Sequence, residues 1–259
     1  MARRTGAVVI VLATIVALAS AHDYAGGWND GSRLATVEAL VDQHTLMIDR
    51  SIFVQPPPPE SVEPNPYPSH LPALQREGTK DKLFINGHYY SDKSPLPALT
   101  MAGLYRALQW GTEIVARRQP HRFCYWMTVG SSGLAYVAAV YCVYQLGGVL
   151  GLGLRPRLWM TAALALATVA PVYARHVNSH IMLLGITAAL MLSLARLAAE
   201  KRAGRTPWQR VAEAGTLAGF GYTLDLGVGP VLVLCTAALV AYRTRRVSAL
   251  ALFALTAAP

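Results

Sequence analysis

Asp30, in Asn29-Asp30-Gly31, and Lys93, in the stretch NGHYYSDKSP (residues 86–95), are the side chains best suited to chemistry by type and surroundings. A carboxylate can take a proton from an attacking hydroxyl, and an ammonium can hold an anion. Each also has an ordinary use. The sequence NDG is a favoured turn, and a lysine at the start of an apolar segment can snorkel. Arg33 follows Asp30 by one helical turn and can orient it or bind an anion. Asp92 and His88 share the second stretch and, with His180, offer ligands to a divalent metal. His176 and His180 are four residues apart and would share a face on a helix, with Asn178 between them, but they lack a third ligand. Asp225 lies in an apolar run beside Gly227, Gly229 and Pro230. An acid there either lines a wet cavity or marks an outer turn.

The elements that must position these residues are mostly apolar. Of 259 residues, 53% are hydrophobic and only 14% charged, and mean hydropathy is +0.33. A soluble chain carries about 25% charge, so the composition predicts a membrane protein. The net charge of +9 comes from short basic clusters between apolar runs: Arg3-Arg4, Arg117-Arg118, Arg155/Arg157, Lys201-Arg202/Arg205 and Arg243/Arg245-Arg246. That pattern fits cytoplasmic loops under the positive-inside rule and argues against a nucleic-acid partner. Cys124, Cys142 and Cys235 lie in apolar runs without metal-ligand spacing and read as small packing residues.

Three zones follow: a first transmembrane helix over 1–21, an extracytoplasmic loop over 22–94, and a multi-helix transmembrane region over 95–259. The first, MARRTG followed by AVVIVLATIVALASA, fits either a cleavable signal peptide or a short membrane helix. In the loop, DGSRLATVEALVDQHTL predicts a helix over 31–43. Ser32 caps its start, Ala35, Val37, Leu40 and Val41 form a stripe, and Arg33, Glu38 and Asp42 face water. Such a helix would lie on the membrane surface. The proline-rich segment from Gln55 to Pro72 predicts an extended linker. Leu83-Phe84-Ile85, Asn86-Gly87 and His88-Tyr89-Tyr90 predict a hairpin. Apolar runs then cover about 95–113, 123–154, 158–174, 181–199, 209–242 and 247–259, and DLGVGP breaks the fifth into two helices. The last run stops at Pro259 without a polar tail, so the sequence reads as cut within its helical region. The expected fold class is all-α: a polytopic integral membrane helix bundle with a large extracytoplasmic first loop containing juxtamembrane helices.

Charge bias puts 155–157, 200–205 and 243–246 inside, and therefore 22–94, 175–180 and 225–230 outside. The cluster ARRQPHR (116–122) also reads as cytoplasmic, which conflicts with 155–157. Two solutions stand: 95–113 does not cross, or 123–154 turns back near Gly147-Gly148.

The order of features resembles the GT-C glycosyltransferases that use polyprenyl-phosphate sugars, the protein mannosyltransferases and the bacterial lipid A aminoarabinose transferases. WNDGSRLATVEALV is similar to the family's first-loop acidic motif with its arginine and juxtamembrane helix. INGHYYSDKSPL is similar to the NG-x-x-Y-x-EKPPL segment, with six positions in order. The likeness spans about residues 1–200 and implies an uncleaved first helix, a polyprenyl-phosphate-linked sugar as donor, a lipid bilayer as partner, and an active face outside a cell (inner) membrane. It implies that Asp30 is the catalytic carboxylate, that Lys93 with Arg33 meets the donor phosphate, and that Asp92 stands where some members place a metal ligand. There are departures. Asn29-Asp30 replaces Asp-Glu, KSP replaces KPP, and Asn178 and His180 stand where the second-loop aspartate would be. The acceptor stays open, and so does a divalent metal as cofactor. A transporter-like protein and a non-catalytic polytopic membrane protein are the alternatives. A transporter would want ionisable residues near the bilayer midplane, and the spans offer few beyond Arg106 and Asp225.

Overall fold

The proline-to-glycine punctuation of the chain divides it into twelve helices and one hairpin among the residues described by the computed structural model, 2–54, 69–204 and 207–258. Helix accounts for 71% of the chain, so the mostly helical architecture expected from the apolar runs is present. The linker expected over Gln55–Pro72 falls largely on 55–68, outside the described residues. A first helix α1 covers Ala2–Ser20. Two helices are long and apolar enough to cross a membrane, Pro120–Val149 and Ser179–Arg202. The chain forms two units, residues 18–133 with 174–178, and residues 1–17 with 134–173 and 179–259.

The first of these units is built around α2 (Trp28–Asp42), which begins after Gly26-Gly27. Here the structure corrects the sequence reading twice. Ser32 does not cap the helix: Gly27 occupies the cap position, and Ser32 sits inside the second turn. Nor do Arg33 and Glu38 face water; of the three charges expected there, only Asp42 is exposed. Every residue from Asp30 to Ala39 is buried, including Arg33 and Glu38. Its polar face packs against protein because other elements wrap it. The hairpin pairs β1 (Lys82–Ile85) with β2 (His88–Ser91) in the register Leu83↔Tyr90 and Phe84↔Tyr89. Its turn residues Asn86 and Gly87 have φ of 51° and 86°, the left-handed pair that matches the twist of two joined strands. A short helix α3 (Pro72–Glu77) precedes it.

Helix α4 (Pro95–Gly111) runs along α2 in the same unit. The Tyr105 hydroxyl donates to Asp42 Oδ2 at 2.8 Å, and Gln109 Nε2 donates to Asp42 Oδ1 at 2.8 Å. Asp42 is therefore a docking point for α4. The backbone amide of Ala116 donates to Tyr105 Oη at 2.7 Å. Next come α5 (Pro120–Thr128) and a π-helical turn over Val129–Gly133. His121 lies 3.3 Å from Asp23, and Tyr125 donates to the carbonyl of Leu18. The basic cluster 116–122 thus packs with the beginning of the first loop. The helix ends at Val149, directly after Gly147-Gly148, and the chain turns back there, so that residues 154–166 pack against 134–149.

The other unit contains α6 (Leu134–Val149), α7 (Leu154–Leu166), α8 (Ala170–Tyr173), α9 (Ser179–Arg202), α10 (Trp208–Leu224), α11 (Gly229–Thr244) and α12 (Val247–Ala257). The break between α10 and α11 falls at DLGVGP. Helix α9 packs against α6 and α10, and α10 packs against α12. Gly215 and Gly219 form one face of α10. A Cβ at Gly215 would lie 2.6 Å from the Phe253 carbonyl, and one at Gly219 would collide with the Ala257 carbonyl. Two small residues four apart let the two backbones touch, as close helix pairs require.

Glu38 shows what burying α2 demands. Its Oε2 accepts from Ser51 Oγ at 2.6 Å and from the Ile52 amide at 3.1 Å. Those bonds favour the anion, yet desolvation prevails and lifts its pKa from 4.5 to about 7. The folded state therefore holds a proton that the unfolded chain releases between those values, so stability falls as pH rises from about 4.5 through 7. Glu38→Gln keeps a single oxygen for both donors and removes the titration. Above pH 7 the variant should be more stable than the parent by on the order of 2–3 kcal/mol. Near pH 4 the two should converge. Thermal unfolding across pH in detergent checks this; a constant offset would show that Glu38 does not titrate in this window.

Candidate functional site

Asp30 is placed by the start of α2. Its Oδ2 accepts from the Gly26 amide at 2.5 Å, so the side chain closes the helix N-terminus as a reach-back cap. The amides of Gly26, Gly27, Asp30 and Gly31 all pull its pKa down. Desolvation of a carboxyl only 5% exposed pulls harder, and the result is about 6 against an ordinary 3.8. A base poised near neutrality is what proton abstraction needs.

Beside it stands an aromatic group that the sequence reading did not assemble. The His22 ring packs on Tyr24 at 4.5 Å and on His176 at 4.3 Å between centroids, and Tyr24 packs on His70 at 4.2 Å. His176 Nδ1 lies 3.9 Å from Asp30 Oδ2. Burial, with His22 and Arg175 nearby, lowers the His176 pKa to about 4. His22 is lowered too, first by burial and then by Arg175. Since His176 charges only below about 4 and Asp30 only above about 6, the pair is polar and not ionic at every pH. Gly26 is required by this arrangement, because a Cβ there would lie 2.5 Å from His176 Nδ1. Tyr24 is the middle ring between His22 and His70.

Arg33, 7% exposed, donates through one nitrogen to the Asn29 carbonyl at 3.1 Å and to Asn29 Oδ1 at 3.2 Å. Desolvation lowers its pKa, and Asp30, Asp92 and Asp81 oppose that lowering. Lys93 Nζ sits between two carboxylates, 2.8 Å from Asp92 Oδ2 and 3.1 Å from Asp81 Oδ2. Ser32 joins these groups. Its hydroxyl donates to the Asp81 carbonyl at 2.6 Å and shares a 2.7 Å hydrogen bond with Ser91 Oγ, which in turn accepts from the Lys93 amide at 3.1 Å. One hydroxyl on α2 therefore fixes both ends of the hairpin, and through them Asp81, Asp92 and Lys93. Asp81 was missed in sequence because DKLF carries no motif; its only signal was an acid just before the first strand of a hairpin that Lys93 follows.

The remaining sequence candidates lie elsewhere. His88 contacts Asp49, with Nδ1 3.4 Å from Oδ2, and does not join Asp92. Asn178 donates its amide to Ser132 Oγ in the π-helical turn at 2.8 Å. The shared helical face expected for His176 and His180 is absent, because α9 starts at Ser179 and His176 precedes it in a bend. His180 belongs to the other unit and packs edge-on to Tyr173 at 6.2 Å. Asp225 Oδ1 accepts the amides of Gly227 at 2.8 Å and Val228 at 3.1 Å, and these bonds lower its pKa. Asp225 thus holds the turn between α10 and α11. Among the described residues no group of three or more His, Cys, Asp or Glu side chains could hold a metal ion.

Comparison with protein-family models, with curated proteins and with solved structures finds no match. Ser32→Ala leaves the Asp81 carbonyl and the Ser91 hydroxyl without their partner and should loosen the hairpin on α2. Amide exchange over 82–91 should speed up about 3–10-fold, in line with the roughly 0.5–1.5 kcal/mol of a hydrogen bond. Unchanged exchange would show that the hairpin is held by something other than Ser32.

Proposed function

We propose that this chain is an integral membrane glycosyltransferase of the GT-C type, moving a sugar from a polyprenyl-phosphate donor to an acceptor on the extracytoplasmic face of a cell membrane. The observation that carries the reading is the buried Asp30 carboxyl, with a pKa of about 6, in the same unit as the Arg33 and Lys93 cations. Asp30 takes the acceptor's proton as the acceptor oxygen bonds to the anomeric carbon. The bond from that carbon to the phosphate oxygen breaks, and the polyprenyl phosphate leaves with both electrons. The developing charge on phosphate needs fixed cations in a partly dry place, where they act far more strongly than in water.

Arg33 is the better placed cation for this task. Its guanidinium is buried, and one of its nitrogens donates to the Asn29 carbonyl and side chain. Lys93 is already compensated by Asp81 and Asp92, which favours a second reading of that residue as a staple of the hairpin. The two are separable: a phosphate-binding Lys93 predicts tighter donor binding in Asp81→Asn, whereas a staple predicts a looser hairpin and weaker binding.

The membrane arrangement supported best has α4 packed on α2 outside the bilayer, since it docks on Asp42. The cluster 116–122 then lies outside with His121 beside Asp23, and Arg155 and Arg157 lie inside. The multi-pass count beyond Pro120–Val149 and Ser179–Arg202 belongs to this proposal. Cysteines placed at Lys80 and Lys201, with Cys235 changed to Ser, test the sidedness. An impermeant thiol reagent should label position 80 from outside and position 201 only after permeabilisation; equal labelling of both from outside would refute it.

Asp30→Asn should leave donor binding intact and reduce turnover by about 10²–10³-fold. In the parent, activity should rise with pH through about 6 as Asp30 loses its proton, then level off. His176 is neutral over that range. A variant turning over at the parental rate would remove Asp30 from the chemistry.

A further inference from the structure

Two cavities flank α9 in the unit of residues 134–173 and 179–259, and they differ in how their charges are used. The larger, about 550 Å³, is lined by Arg210, Glu213 and Ser193 among others. Arg210 spans Glu200 at 3.3 Å and Glu213 at 2.7 Å, and Ser193 donates to Glu213. Those three polar groups satisfy one another, and Arg196 and Gln209 line the same cavity beside them. The second, about 370 Å³, has apolar walls from Leu146, Leu150, Leu194 and Leu239, and its only polar lining is Arg202 and Arg243. No carboxylate lines it, and among the described residues neither arginine has an acidic partner. Arg202 is the last residue of α9 and Arg243 lies in the last turn of α11. Helix carbonyls attract cations at such ends, but that needs no apolar groove beneath them.

We infer that this groove is a binding site for a membrane phospholipid with an anionic headgroup, its phosphate held by Arg202 and Arg243 and an acyl chain along the leucine walls. The inference rests on the membrane half of the proposed function and not on glycosyl transfer. The length of α9 sets the depth. Its 24 residues rise about 36 Å against a hydrocarbon core of about 30 Å, which puts Arg202 at headgroup level. The end concerned is the basic one, where Lys201, Arg245 and Arg246 also cluster. Anionic lipids concentrate at such surfaces, and basic pockets between membrane helices select them. The volume lies within the range of small-molecule sites, about 300–1,000 Å³, and suits a headgroup with the first part of one chain.

The test uses the 259-residue chain in phosphatidylcholine vesicles with and without phosphatidylglycerol, followed by native mass spectrometry of the retained lipid. The parent should retain phosphatidylglycerol selectively. Arg202→Gln with Arg243→Gln should lower retention roughly 10–30-fold, from about a fivefold contribution per cation. Ala198→Phe, which fills the groove and keeps both arginines, should lower it as well. Lys201→Gln with Arg245→Gln removes the same charge at the same end and should leave retention unchanged. Equal loss in the two double variants would reduce the effect to general surface attraction and overturn the site. Equal displacement by inorganic phosphate would make it a phosphate site without the acyl chain, which also overturns it. A chain that stays in the aqueous fraction would overturn the membrane reading, and this inference with it. A chain that enters vesicles without lipid selectivity overturns only the inference.

Discussion

Burying three ionisable side chains along one helix is the constraint on which the first-loop unit depends. A charge left unpaired in the interior costs several kcal/mol, so each residue of α2 that enters protein must bring a partner with it. Asp30 has the Gly26 amide, Arg33 has Asn29, and Glu38 has Ser51 and the Ile52 amide. These partners lie on different segments. Satisfying them fixes the approach to the helix, its first turn and the stretch over 48–54. Ser32 adds the hairpin, and Asp42 at the far end adds α4. Packing alone would hold such a unit loosely; the list of satisfied polar groups makes its arrangement specific.

The parts of this unit legible in the sequence are those set by local chemistry. Asn86-Gly87 between two short apolar runs specifies a tight hairpin, because only such residues tolerate two successive left-handed conformations. Proline and glycine at DLGVGP end one helix and begin another. Burial of the polar face of α2 was not legible. An amphipathic pattern looks the same whether the charged side meets water or a protein wall, and the partners lie up to 67 residues away. The pairing of His176 with His180 failed for a related reason. Four-residue spacing implies a shared face only inside a helix, and α9 begins between them. His22, Tyr24 and His70 carried no signal at all, because nothing in the spacing of a loop shows which rings will stack. The contact of the basic cluster at 116–122 with the start of the first loop, His121 beside Asp23, was not legible either, because a run of cations carries no sign of its partner.

Electrostatic poise follows from the same burial. Most perturbed carboxylates are shifted by a charged neighbour, and their pKa then changes whenever that neighbour moves. Asp30 and Glu38 are instead raised mainly by desolvation, a property of the fold that does not depend on a ligand being bound. Burial lowers the pKa of both nearby histidines, His176 to about 4, and so favours their neutral forms. They act as a wall of polarisable rings, which keeps water from the carboxyl without neutralising it.

Asp30 is also the cap of its own helix, and the two uses constrain each other. A base that gains a proton loses the charge that attracted the helix amides, so a capping acid would be expected to loosen its helix at each turnover. The two oxygens separate the roles. Oδ2 accepts from Gly26 at 2.5 Å, and a neutral carboxyl can keep accepting there through a carbonyl-type oxygen. Oδ1 lies on the side of Gly27, where a Cβ would come within 3.3 Å of it, and on the proposed function it is the oxygen that takes the proton. Glycine at that position keeps the approach clear. On the proposed function, helix capping and proton abstraction then proceed through different atoms of one side chain, and the first turn of α2 stays folded while its charge changes.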